Sequence, residues 1–194
     1  MAEIYLTLDQ FEDLIQSTTV KLLGWDLTTP SKAEDVRIEW PIEGAPGPKI
    51  TDDIIYLRCV EVDSPINKQR EFRHYQASPD FIQSIGFSKT MEVSYICYGP
   101  SSYDNADYLR TAIFFQDIHD LLAQNSVYLV PDIAEPKRVP ELFENRWWQR
   151  ADLQMRFNAL VVRERAAHYI ESVEVTVSTA EGEQIDIQST ISVD

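Results

Sequence analysis

Trp148-Gln149-Arg150-Ala151-Asp152-Leu153-Gln154-Met155-Arg156-Phe157-Asn158-Ala159-Leu160-Val161 is the stretch that decides the fold class. Ala151, Leu153, Met155, Phe157, Ala159 and Val161 alternate with Asp152, Gln154, Arg156 and Asn158. A period of two over this length belongs to a β-strand with one buried face and one polar face. Downstream, Val173, Val175 and Val177, a turn at Glu181-Gly182, then Ile185 and Ile187 predict a β-hairpin over about 172–191 that lacks the tight Asn-Gly turn. Upstream, Met91 to Tyr98 is rich in β-branched and aromatic residues and is closed by Gly99-Pro100. Ile54 to Val62, Glu71 to Gln76 and Val36 to Trp40 read as further strands. Pro131, Pro136 and Pro140 limit the region between to short extended pieces such as Val127 to Val130.

Two helices complete the pattern. Thr7-Leu8-Asp9-Gln10 has the spacing of a capping box, and Phe11, Leu14, Ile15, Thr18 and Leu22 recur at helical spacing until Gly24, a C-cap residue. Ser101 to Gln124 predicts the second helix, with Ser101 and Ser102 at its N-cap. Its continuous apolar stripe is Ala106, Leu109, Ile113, Phe114, Ile118, Leu121 and Leu122. Runs of strands separated by only two helices argue for α+β: one twisted, mainly antiparallel sheet with both helices on a single face and a C-terminal hairpin. One domain over 1–194 is expected, with loops near 41–53 and 63–89, the latter mobile in part.

Bulk properties narrow the function. The chain has 194 residues, 44% hydrophobic and 25% charged, enough for a folded domain that buries roughly 70% of the surface of its unfolded chain. No run approaches the length of a membrane span, and Met1-Ala2-Glu3-Ile4-Tyr5 lacks the features of a secretory signal, so a cytosolic protein without membrane partners is expected. Cys59 and Cys97 sit in strand-like runs and read as buried free thiols. A net charge of −15 makes sequence-independent grip on phosphates a poor prospect, although an acidic surface does not impede a strand of DNA moving past it. The charge is uneven. Lys137 to Arg165 is locally basic, whereas nothing after Arg165 is Lys or Arg, and the acids Glu171, Glu174, Glu181, Glu183, Asp186 and Asp194 follow.

Catalytic constellations do not emerge. Gly99-Pro100-Ser101-Ser102 does not match a serine nucleophile elbow, and no glycine-rich phosphate loop precedes Lys-Ser or Lys-Thr. His74, His119 and His168 lie far apart, and Asp117-Ile118-His119-Asp120 fans around a helix axis as a solvated face would. Asp52-Asp53 is a carboxylate pair of the kind a small acidic hydrolase uses, or simply loop solvation. No catalytic residue, cofactor or metal ligand is assigned. Arg146-Trp147-Trp148-Gln149-Arg150 stands out: adjacent tryptophans on a strand point to opposite faces, one toward the core and one toward the surface. This is either an anchor that staples the strand or an interface hot spot for a protein partner. The candidate interface residues are Arg146, Trp147, Trp148, Arg150 and Arg156, with Glu174, Glu181, Glu183 and Asp186 of the acidic hairpin.

Glu144-Asn145-Arg146-Trp147-Trp148-Gln149-Arg150-Ala151-Asp152-Leu153-Gln154-Met155-Arg156-Phe157, followed by Ile170-Glu171-Ser172-Val173-Glu174-Val175, resembles the C-terminal part of the neck or tail terminators of tailed bacteriophages. The opening helix and the Asp107-Tyr108-Leu109-Arg110 helix fall where that family places them, and the likeness is strongest from about Ser101 onward. The loop of Gly44 to Lys49 and the acidic end have no counterpart. The resemblance implies a non-enzymatic virion protein, assembled in the host cytoplasm, that forms a ring, usually a hexamer. Such a ring caps the tail tube and joins it to the neck or head-completion protein, with DNA passing through the lumen without sequence-specific contacts. Other readings are a different head-tail connector or tail completion protein, a monomeric adaptor for a protein partner, or the acidic hydrolase. Under the ring reading the hairpin meets a neighbouring subunit or the tube, and deleting Gly182 to Asp194 is expected to leave a folded, assembly-defective chain.

Overall fold

The computed structural model describes residues 4–28, 30–38, 48–77 and 80–167, and the backbone of 173–178 and 184–189. Helix α1, Leu8–Leu23, starts at the expected capping box: Thr7 Oγ1 accepts from the Gln10 N–H at 3.2 Å and Gln10 Oε1 accepts from the Thr7 N–H at 2.9 Å. It ends at Gly24, whose φ of 63° is the left-handed conformation that favours glycine. The strands are β1 (Val36–Ile38), β2 (Ile54–Glu61), β3 (Glu71–Ala77), β4 (Asp80–Tyr98), β5 (Val127–Val130), β6 (Lys137–Arg138), β7 (Glu141–Phe143), β8 (Arg146–Trp148), β9 (Arg150–Ala167), β10 (Val173–Ser178) and β11 (Gln184–Ser189). A helical turn, α2 (Pro65–Lys68), lies between β2 and β3; α3 (Ser102–Ala112) and α4 (Gln116–Gln124) lie between β4 and β5.

One sheet runs β1-β2-β4-β9-β5, with β3 also on β4 and β6 also on β9. β1–β2 is parallel, whereas β2–β4, β5–β9 and β6–β9 are antiparallel. Glu92 meets Arg156, Thr90 meets Asn158 and Gly99 meets Gln149, so one step forward on β4 is one step back on β9, and this pair is antiparallel too. The α+β architecture with a mainly antiparallel sheet is therefore as the periodicity predicts. Along β9, Ala151, Leu153, Met155, Phe157, Ala159 and Val161 are buried, and all but Val161 join one core with Phe11 and Ile15 of α1, Leu109 of α3 and Ile118 and Leu122 of α4. Phe11 and Phe157 meet edge-on with centroids 6.3 Å apart. β10 and β11 pair antiparallel, Val175 opposite Ile187, as the expected hairpin requires; its turn, with Glu181 and Glu183, lies outside the described residues.

Several expectations need correction. The second helix is two helices, broken at Ile113 to Phe115. The break rotates the stripe, so that Ile113 and Ile118 stay buried while Phe114 is 54% exposed. Ser101 is the N-cap of α3, yet its hydroxyl makes no capping bond; Asp53 Oδ1 instead accepts from the Ser101 N–H at 2.8 Å. β3 is the strand expected over Glu71 to Gln76, whereas the loop expected beyond it, as far as residue 89, is the first half of β4, apart from residues 78 and 79 outside the description. Of the loop near 41–53, residues 41–47 lie outside the description and Ile50–Thr51 form a turn. The chain separates into two compact units, Met1–Glu71 with Gly86–Arg163, and Phe72–Ile85 with Glu164–Asp194.

Candidate protein interface

The segment between Pro140 and Arg150, in a region expected to hold only short extended pieces, folds into β7 and β8 joined by Glu144 and Asn145. Both turn residues have positive φ, 49° and 60°, the mirror-image two-residue turn whose twist matches that of a hairpin. Asn accepts this conformation readily, whereas Glu does not, and that is why the sequence carries only half of the usual turn signal. Glu141 pairs with Trp148, Leu142 with Trp147 and Phe143 with Arg146. Opposed residues share a face, so Leu142 and Trp147 stand side by side; they are 55% and 67% exposed.

The opposite face of the hairpin lies on the sheet. Trp148 is half-buried and meets Tyr98 edge-on at 6.2 Å and Phe143 at 6.3 Å, and Tyr98 meets Tyr56 at 6.0 Å. The two tryptophans thus split as the strand alternation predicts, with one difference. Trp148 does not enter the main core but packs on Tyr98, which alternates with the core-facing Cys97 of β4. Its Nε1 is the one buried side-chain polar atom among the described residues without a hydrogen-bond partner.

Beneath the hairpin is a small ionic network. The Tyr98 hydroxyl donates to Glu141 Oε2 at 2.6 Å, and Arg150 donates to the same oxygen at 3.0 Å and to both oxygens of Asp152 at 2.7 and 2.9 Å. Hydrogen bonds from Tyr98 and then Arg150 hold the Glu141 carboxyl below the usual carboxylate range. Burial, with the Glu141 contact second, pushes the Tyr98 hydroxyl up to about 12. The bidentate contact to Asp152 keeps Arg150 charged at any accessible pH. Next to this network, Tyr103, Asp104, Arg138, Pro140, Gln149 and Arg150 line a cleft of about 260 Å³.

Of the predicted interface residues, Arg146 and Trp147 are exposed on alternate faces of β8, and Trp148, on the face of Arg146, backs Trp147 from below. Arg150 is engaged within the network. Arg156 lies farther along β9 and donates twice to Glu92 Oε2 at 3.0 Å, so it does not belong to the hairpin patch. Glu174 pairs in register with Gln188, and Asp186 with Thr176. Sequence reasoning missed Leu142 and Phe143, which lie in the same hairpin; an apolar pair just before two residues able to turn was the available signal.

The alternative chemistry finds little support in geometry. Asp52 Oδ2 accepts from the Lys49 N–H and Asp53 holds the start of α3, so both carboxylates shape the chain where they stand. His119 is exposed beside Asp120, and His74 stacks on Phe81. Among the described residues no group of three or more His, Cys, Asp or Glu could hold a metal ion, and no helix is long and apolar enough to cross a membrane. The profile of the phage neck terminator protein family matches residues 9–184. The chain belongs to this family. Membership places it among the structural proteins of the phage neck and tail, and it carries the resemblance noted from Glu144 to Phe157 across most of the sequence. No curated protein matches the chain.

Proposed function

We propose that this neck terminator acts without catalysis or cofactor, as a homo-oligomeric ring, six-membered by family resemblance, that caps the phage tail tube and joins it to the neck or head-completion protein. DNA passes through the lumen, and the chain reaches the virion after assembly in the host cytoplasm. The observation that carries this reading is the family match over 9–184. Two physical features support it. Trp147 beside Leu142 is an exposed apolar pair on a rigid hairpin, the kind of anchor that dominates protein contacts. The net charge of −15 disfavours grip on phosphates, as a conduit for DNA requires.

In this proposal Arg146, Trp147 and Trp148 form one contact patch, with Arg150 as its internal brace. Arg156 and the acidic residues Glu174, Glu181, Glu183 and Asp186 lie on other contact surfaces. A contact between two different surfaces of one subunit closes into a ring when the rotation is right. Light scattering on the purified chain and on Trp147→Ala tests it. The native chain should give a closed oligomer and the variant smaller species, with unfolding stability within about 0.5 kcal/mol because the side chain is mainly exposed. A Trp147→Ala chain that assembles like the native one would remove this residue from the interface, and a native chain that stays monomeric beside tail tubes would count against the ring.

A further inference from the structure

Among the described residues of the first compact unit, exposed phenylalanine and tryptophan gather at two places. One is the β7–β8 hairpin, where Phe143 and Trp147 are 55% and 67% exposed. The other is the corner between α3 and α4, where Phe114 and Phe115 are 54% and 53% exposed. Large apolar side chains grouped in this way mark contact surfaces. The two places differ in shape. The hairpin projects Trp147 outward, whereas the corner and β5 enclose a groove of about 130 Å³ walled by Ile113, Phe114, Val127 and Leu129, with Gln116 and His119 on its polar side. A space of about 150 Å³ takes a benzene ring, so this groove suits the six-membered ring of an aromatic side chain.

Within one copy the two cannot meet. Trp148 packs on Tyr98, on the sheet face opposite the core-facing Cys97, so the hairpin lies on the side away from the helices. Ile113, Leu122 and Val127 of the groove belong to the core on the helix side. Along β9 the hairpin adjoins Arg150, whereas β5 reaches Asn158 opposite Tyr128; eight steps at about 3.3 Å separate them by about 26 Å.

Charge is complementary at the two places. Arg146 adjoins Trp147, is exposed and makes no ion pair among the described residues. Of the hairpin's acids, Glu141 is engaged by Tyr98 and Arg150, and Glu144 occupies the turn itself. At the groove, Gln116 Nε2 donates to Asp120 Oδ1 at 2.7 Å and His119 Nδ1 lies 3.7 Å from the same oxygen. No Lys or Arg neutralises Asp120 among the described residues, whereas Asp117 is paired with Lys21 at 3.1 Å.

We propose that Trp147 of one copy inserts its ring into the groove between the α3–α4 corner and β5 of a second copy, with Arg146 meeting Asp120 at the mouth. Knob and groove are different surfaces on opposite faces of one unit, so the contact runs head to tail and repeats from copy to copy. The inference rests on the ring reading and names the surface that receives its anchor.

Light scattering across a concentration series tests it, with melting temperature as the check that each variant folds. Trp147→Ala and Phe114→Ala should each raise the concentration needed for assembly about tenfold or more, and the double variant should be little worse than either single one, because both remove the same contact. Arg146→Asp and Asp120→Arg should each weaken assembly, and a chain carrying both should recover it to within about threefold of the native chain. Additive losses from Trp147→Ala and Phe114→Ala, or a charge-swapped chain as weak as its single variants, would overturn the proposal and leave the ring standing. Phe114→Ala that assembles normally but is captured less by tail tubes would give the groove to the tube protein and would also overturn it. A native chain that stays monomeric, beside tail tubes as well, would overturn both readings.

Discussion

Trp148 shows how one residue can serve a surface it does not form. Its ring fills the space between Phe143 and Tyr98, so Trp147 is held outward on a fixed hairpin, while its own N–H has no acceptor. A buried donor without a partner costs about 1–3 kcal/mol, comparable to what the extra ring area contributes. Trp148→Phe should therefore unfold in denaturant within about 1 kcal/mol of the native chain, whereas Trp148→Ala should lose about 2–3 kcal/mol. Glu141 gives a pH signature. Its carboxyl is held below its ordinary value by Tyr98 and Arg150, so the bond contributes above the unfolded carboxylate pKa of about 4.3 and its contribution disappears as pH falls through the lower folded value. Tyr98→Phe should cost about 1 kcal/mol at pH 7, and the gap to the native chain should shrink in unfolding curves below about pH 4.

At the scale of elements, the junction between β4 and α3 is the least tolerant point. Gly99 has φ 105°, and a Cβ there would lie 2.5 Å from the Asp52 carbonyl oxygen and from Asp53 Oδ1. Gly99→Ala should destabilise by about 3 kcal/mol or more, seen as a large fall in melting temperature. The long elements were legible because their patterns are local: the capping box of α1 and the alternation of β9 need no knowledge of the rest of the chain. Three features were not. The break at Ile113 to Phe115 follows a continuous apolar stripe that gives no local stop signal. The first half of β4 is half-buried over residues 81–89 apart from the buried Ser84, and so lacks the strict alternation of a strand with one buried face. The β7–β8 turn places Glu where Asn or Gly is the usual marker.

For the whole molecule, the interface was legible only in part. That one of the two tryptophans faces the surface followed from strand alternation, but which one, the grouping with Leu142 and Phe143, and the separation of Arg156 from them depend on a register that one sequence does not reveal. The charge division is visible in sequence alone: a basic arm, an acidic end and a strongly negative remainder. Together with the exposed aromatic anchor at Trp147, it supports the proposal that the work of this protein is contact between copies. Imaging of tail tubes assembled with this chain, by electron microscopy with averaging along the tube axis, tests that most directly. The account predicts one symmetric ring of this polypeptide at the tube's head-proximal end, with an open axial channel. Density for it scattered along the tube, or a single copy bound at one side, would contradict the account.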